Sequence, residues 1–168
     1  GPFNTYTNSA TKNDLELTTT VAGRYGLKVT AAQLGELTPA EFIGATDVTK
    51  IPFTENGDGT VDAETFYINY MTNQRIMASV TATASPLKGS IAENDSTIYY
   101  TVMTPAVESA VKVESDDTTI TLYKEEAISN GMRVVSESFT IAMDSDTWLN
   151  ATQDSYSTTW SINLSVNN

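Results

Sequence analysis

Residues 156–168, YSTTWSINLSVNN, decide how the rest of the chain is read. Tyr156, Thr158, Trp160, Ile162, Leu164 and Val166 fall on one side, and Ser157, Thr159, Ser161, Asn163, Ser165 and Asn167 on the other. Side chains alternate across an extended strand, so the stretch predicts a strand with one apolar and one wet face. Working outward, the same period of two recurs at Phe66, Ile68 and Tyr70 and again at Ile76, Ala78, Val80, Ala82 and Ala84. It recurs in residues 97–103, at Ile120 and Leu122, and at Val135, Phe139, Ile141 and Met143; residues 107–114 carry an interrupted version. Near the start, Leu15, Leu17, Thr19 and Val21 alternate as well and predict a first strand ending near Gly23, with residues 25–30 extended after it.

The segments between these runs are turns. Ser85-Pro86 and Thr104-Pro105 each end a strand, and residues 55–60, ENGDGT, form a Gly/Asp turn in either hairpin or loop form. Thr38-Pro39-Ala40-Glu41 supplies a capping residue, Pro at the first helical position and Glu three beyond the cap, but Gly44 limits the helix to a turn or two. A further helical turn is expected over residues 124–129, closed by Asn130-Gly131. Asp144-Ser145-Asp146 reads as a turn, with Trp148 and Leu149 in the loop before the last strand. Eight to ten short strands without a long helix predict an all-β fold, an immunoglobulin-like β-sandwich with short helical turns in its connections. Residues 1–13 read as a flexible lead-in or tag remnant and residues 14–168 as a single sandwich domain.

Composition narrows the chemistry. The 168 residues include neither cysteine nor histidine. Disulfides, thiolate nucleophiles, Ser-His-Asp triads, His-based zinc sites and the ordinary proton shuttle near pH 7 are therefore absent. A formal charge of −12 disfavours a nucleic-acid backbone and an anionic membrane surface. No apolar run approaches the roughly 20 residues that span a bilayer. Low charge content with much Thr, Ser and Asn points to an extracellular setting. Gly1-Pro2 resembles the scar of a cleaved expression tag, so a native leader is expected to have been removed.

Three groups of residues are candidate sites. Residues 56–62, NGDGTVD, resemble the middle of an EF-hand-type calcium loop, with Asp58, Asp62 and Glu64 as possible ligands. The first ligand position falls on Thr54 and the twelfth on Thr65, so the stretch is either a plain turn or a weak calcium site. No other cofactor is expected. Trp148 and Tyr67 are the aromatic residues best placed for stacking on a sugar, whereas Trp160 belongs to the apolar face of its strand. Asp116-Asp117, Glu125-Glu126 and Asp144/Asp146 are the carboxylate pairs a glycoside hydrolase would require, each in a turn context. Arg24, Arg75 and Arg133 are isolated among acids and read as local ion-pair partners.

Residues 66–70 (FYINY), 75–87 (RIMASVTATASPL) and 98–102 (IYYTV), with the tail 156–166, resemble the middle and closing strands of secreted bacterial β-sandwich proteins. That group includes fimbrial subunits and adhesins assembled through the chaperone-usher route. The resemblance implies that an N-terminal extension with alternating apolar residues completes a neighbouring subunit's sandwich. Leu15, Leu17 and Val21 are the positions that would do so here; the alternative is that they form the domain's own first strand. Many such pilins carry a disulfide, and this chain has no cysteine for one.

The expected function is a structural or adhesive subunit of a bacterial surface or fimbrial assembly, not an enzyme, acting through strand-mediated contacts. Its partners would be other copies of itself or other surface subunits, and a host or environmental glycan or protein. The alternative is a carbohydrate-binding module using Trp148 and Tyr67, and a third reading is a carboxylate-based hydrolase.

Overall fold

The computed structural model describes residues 13–167. Eleven strands follow in chain order: β1 (Tyr25–Thr30), β2 (Glu64–Thr72), β3 (Met77–Ala84), β4 (Leu87–Gly89), β5 (Thr97–Ile98), β6 (Tyr100–Thr104), β7 (Ser109–Val113), β8 (Thr118–Lys124), β9 (Arg133–Met143), β10 (Tyr156–Ser157) and β11 (Ser161–Asn167). Two short helices, α1 (Pro39–Gly44) and α2 (Ser145–Asn150), lie in connections. A five-stranded sheet, β1-β2-β9-β6-β7, faces a three-stranded sheet, β11-β3-β8, and β10-β4-β5 forms a third, small sheet. Every described strand pair is antiparallel. The fold is all-β and sandwich-like.

The alternating residues become the core. Ile68 and Tyr70 of β2, Val80 and Ala82 of β3, Val102 of β6, Ile120 and Leu122 of β8 and Phe139 of β9 are buried together between the two larger sheets. Full burial of one Val, Leu, Ile or Phe side chain contributes about 1.5–3 kcal/mol, so this shared face is the main source of stability. On the outer face of the five-stranded sheet, α1 lays Phe42 against Leu34, Met71 and Val134. The helix starts as its sequence predicts, with the Glu41 N–H donating to Thr38 Oγ1. Glu41's carboxylate, however, accepts from the Gly35 and Glu36 N–H groups and so ties down the preceding loop. Gly26 is required beneath this helix, because a Cβ there would lie 2.8 Å from the Phe42 ring. Lys28 closes the other end, its Nζ donating to the carbonyls of Phe42, Ile43 and Ala45 at 2.7–2.9 Å.

Four expectations are corrected. The run Leu15–Val21 is not a strand: residues 13–24 lie outside every sheet, and the first strand among the described residues is β1. Its pattern is right for a strand, but no described strand pairs with it. Residues 156–168 do not form one strand either. β10 pairs with β4 and β11 with β3, so the break at residues 158–160 answers the break at Ser85-Pro86 between β3 and β4. Residues 124–129 form no helix; Ser129 instead bridges Ile76 across the sheet, and Gly131 turns the chain at φ 76°. Trp148 and Leu149 sit on α2 rather than in a loop. There Asp144 accepts from the Thr147 N–H as a true helix cap, and that bond with the Thr147 hydroxyl lowers its carboxyl's pKa.

Candidate functional site

β1 and β11 are the terminal strands of their sheets on the same side of the sandwich, and no described strand fills the space between them. An apolar cleft of about 1160 Å³ opens there. Its walls are Leu27 of β1 and Ile162 of β11, and Ile68, Phe139 and Ile141 of the five-stranded sheet form its floor. Trp160 sits at the β11 side, where its ring packs on Tyr100 and Phe139 and its Nε1 donates to the Tyr100 hydroxyl at 2.9 Å. Core residues thus reach a surface opening, which a closed sandwich would cover with a strand.

Two connections frame the mouth. Residues 47–53 run past β1: the Val48 N–H donates to the Val29 carbonyl at 2.7 Å, and the Val29 N–H donates to Asp47 Oδ1 at 2.9 Å. The outer edge of β1 is thereby covered at Val29. Ile51 and Phe53 of the same connection pack on the core from one side. Opposite them, residues 151–157 are braced by Asp154, which accepts from the Ser90 hydroxyl, the Ile91 N–H and Asn94 Nδ2. These bonds, the Ser90 hydroxyl first, hold its carboxyl far below the usual carboxylate range. Tyr156 completes the brace, its hydroxyl donating to the Thr152 carbonyl and accepting from Asn94.

The counterpart of the cleft is the segment that forms no strand. Leu15, Leu17 and Val21 are 84, 87 and 77 % exposed, values found for free side chains rather than for residues of a packed strand. The segment joins the domain at the β2–β3 turn. Asn73 Nδ2 donates to the Ala22 carbonyl at 2.9 Å, and Asn73 Oδ1 accepts from the Arg24 N–H at 2.7 Å. The Asn73 N–H and the Thr72 hydroxyl both donate to the Arg24 carbonyl. The strand-exchange reading of Leu15, Leu17 and Val21 predicts an open groove, whereas nothing in the sequence signals the Asn73 clamp.

The other candidates separate. Asp58 Oδ1 accepts from both the N–H and the hydroxyl of Thr60, which lowers its pKa, while Asp62 Oδ1 accepts from Asn56 Nδ2. Glu64 begins β2, paired with Ile141. The Glu55–Val61 bridge makes the loop a hairpin with Gly59 at φ 85°, and its side chains are engaged in closing it. Among the described residues, no group of three or more acidic side chains is placed to hold a metal ion. Trp148 is half-buried at the cleft and donates to Glu55 Oε1 at 3.0 Å. Tyr67 alternates with the inward Ile68 and so lies on the opposite face of its sheet, which brings the two rings to different surfaces. The carboxylate pairs are likewise dispersed: Asp116 pairs with Lys88, Asp144 caps α2, and Glu125 is engaged by Arg133. Among the described residues no helix is long and apolar enough to cross a membrane. No protein-family model matches the chain, and a search of curated proteins found no match.

Proposed function

We propose that this protein is a structural or adhesive subunit of a bacterial surface assembly, an immunoglobulin-like sandwich completed by a strand from a second copy. The observation that carries the reading is the pairing of two incomplete features. An apolar cleft lies between two terminal strands, and an exposed segment with apolar residues at strand spacing belongs to no sheet. Inserting residues 13–22 of one copy into the cleft of the next would cover Leu27, Ile162 and the core beneath them. It would also bury Leu15, Leu17 and Val21 and give β11 a partner on its free edge. Small-molecule sites span about 300–1,000 Å³, so a cleft of about 1160 Å³ suits an extended peptide better than a compact ligand. The mechanism needs no catalytic group, in keeping with a chain without cysteine or histidine. Extracellular or cell-surface placement belongs to the same reading.

Light scattering on size-separated protein across a concentration series tests it. The wild type is expected to form assemblies whose mass rises with concentration. Leu17→Asp should remain monomeric, because an ionised carboxylate cannot enter an apolar cleft without a partner. Assembly unaffected by Leu17→Asp, or a wild type that stays monomeric throughout, would remove the proposal.

A further inference from the structure

Strand donation raises a problem of choice. The segment 13–22 precedes β1, one wall of its own cleft, and a reversal of the chain at residues 22–24 would let it fold back along the free edge of β11 and fill that cleft itself. The intramolecular route has the advantage of high effective concentration, in the millimolar range for a short connection. A protein that donates its strand to a neighbour needs something that prevents this reversal.

The attachment point supplies it. Residues 22–24 carry on from β1 against the β2–β3 turn, and Asn73 grips both sides of Gly23: its amide donates to the Ala22 carbonyl and its carbonyl oxygen accepts from the Arg24 N–H. Arg24 is fixed a second time, through its carbonyl, by the Asn73 N–H and the Thr72 hydroxyl. Thr72 Oγ1 in turn accepts from the Gln74 N–H, so the turn that does the holding is itself held. Gly23 would otherwise be the natural pivot, since glycine reaches conformations closed to other residues. Its neighbours are tied down instead, and it faces the Gln74 side chain, with Nε2 3.1 Å from where a Cβ would stand. Both polar ends of one side chain are spent on the two peptide groups such a reversal would have to rotate.

We infer that Asn73 is the residue that decides whose cleft the segment serves. It holds residues 22–24 in line with β1, so that residues 13–22 leave the domain and are presented to a second copy. This rests on the strand-donation reading and adds the residue that keeps the segment out of the chain's own cleft. Releasing the clamp should convert donor into self-filler. If the self-filled form then outweighs the open one by about ten to one, apparent association weakens about tenfold, because only the open form can exchange strands.

The test compares wild type, Asn73→Ala and Asn73→Ala with Leu17→Asp, by light scattering and by amide hydrogen exchange on the monomer fraction. The inference expects rapid exchange over residues 13–22 in the wild-type monomer. Asn73→Ala should give a predominantly monomeric protein whose segment is protected, and adding Leu17→Asp should abolish that protection. Three outcomes overturn it: Asn73→Ala associating like the wild type, a monomeric Asn73→Ala with an unprotected segment, or a wild-type monomer already protected there. If Asn73→Ala does not fold, Asn73→Asp is read in the same way, since it keeps the acceptor for Arg24 and loses the donor to Ala22. Failure of strand donation itself is distinguishable, because the wild type would then not associate at any concentration.

Discussion

Glu125 and Arg133 show how much the fold asks of single residues. Arg133 Nε donates to Glu125 Oε2 at 2.6 Å and its Nη2 to Oε1 at 2.9 Å, while further N–H groups reach the carbonyls of Gln74 and Ile76. Glu125 Oε1 also accepts from the Ala78 N–H, so one ion pair fastens the β2–β3 turn to the β8–β9 connection. Burial alone would raise the Glu125 pKa, but the hydrogen bonds and charge of Arg133, with the Ala78 N–H, outweigh it and bring the pKa below its ordinary 4.5. A carboxyl whose pKa is lowered on folding adds stability that is complete above the unfolded value and fades as pH falls through the folded one. Urea unfolding should therefore show a loss of stability below about pH 4.5 that is smaller in Glu125→Gln, and at pH 7 this variant should cost about 2 kcal/mol. Beside the pair, the buried Tyr70 hydroxyl has no partner at full hydrogen-bond geometry among the described residues, and burial, followed by its interaction with the Glu125 carboxylate, raises its pKa well above that of a free tyrosine. Tyr70→Phe should thus be neutral or stabilise by up to about 1 kcal/mol in the same assay, since it removes a group that lost its water without gaining a full hydrogen bond. The Arg133 pairing was readable in outline, as an arginine isolated among acids. Its partner was not, because the two meet only when β8 and β9 fold.

At the scale of elements, periodicity identified the core strands because each has an inner face to bury. Val80, Ala82, Ile120 and Leu122 are all fully enclosed where the alternation placed them. Helix α1 was legible for a local reason, its cap and proline, while α2 was not, because Asp144 reads equally as a turn residue until Thr147 is seen against it. The long closing strand was misjudged as one piece because alternation continues through residues 156–166 although the partner strand is broken by Pro86, which has no N–H to donate. Leu15, Leu17 and Val21 alternate as a strand would without belonging to a sheet, because alternation shows that a face could be buried and not which strand would pair with it. Lys28 tests how α1 is held. Replacing it with Met keeps much of the apolar stem but leaves the carbonyls of Phe42, Ile43 and Ala45 without their donor. The expected cost is about 1–3 kcal/mol by urea unfolding, with faster amide exchange over residues 39–45.

For the whole molecule, the proposed strand donation would be balanced against charge. Each copy carries a formal charge of −12, so two of them repel at long range, while insertion of the segment into the cleft would attract only on contact. The Debye length shrinks from about 30 Å at 0.01 M to about 8 Å at 0.15 M salt, which screens the repulsion and spares the apolar contact. Association should therefore tighten with salt over that range, as followed by light scattering. The central claim concerns which chain fills which cleft, and the lack of cysteine makes it directly measurable. Leu17→Cys protein, mixed with Ile162→Cys protein under mild oxidation, should yield a disulfide-linked pair of one chain of each kind, identified by mass. A single chain carrying both substitutions should cross-link between molecules rather than within one. Absence of the mixed pair, or a doubly substituted chain that closes only on itself, would contradict the account.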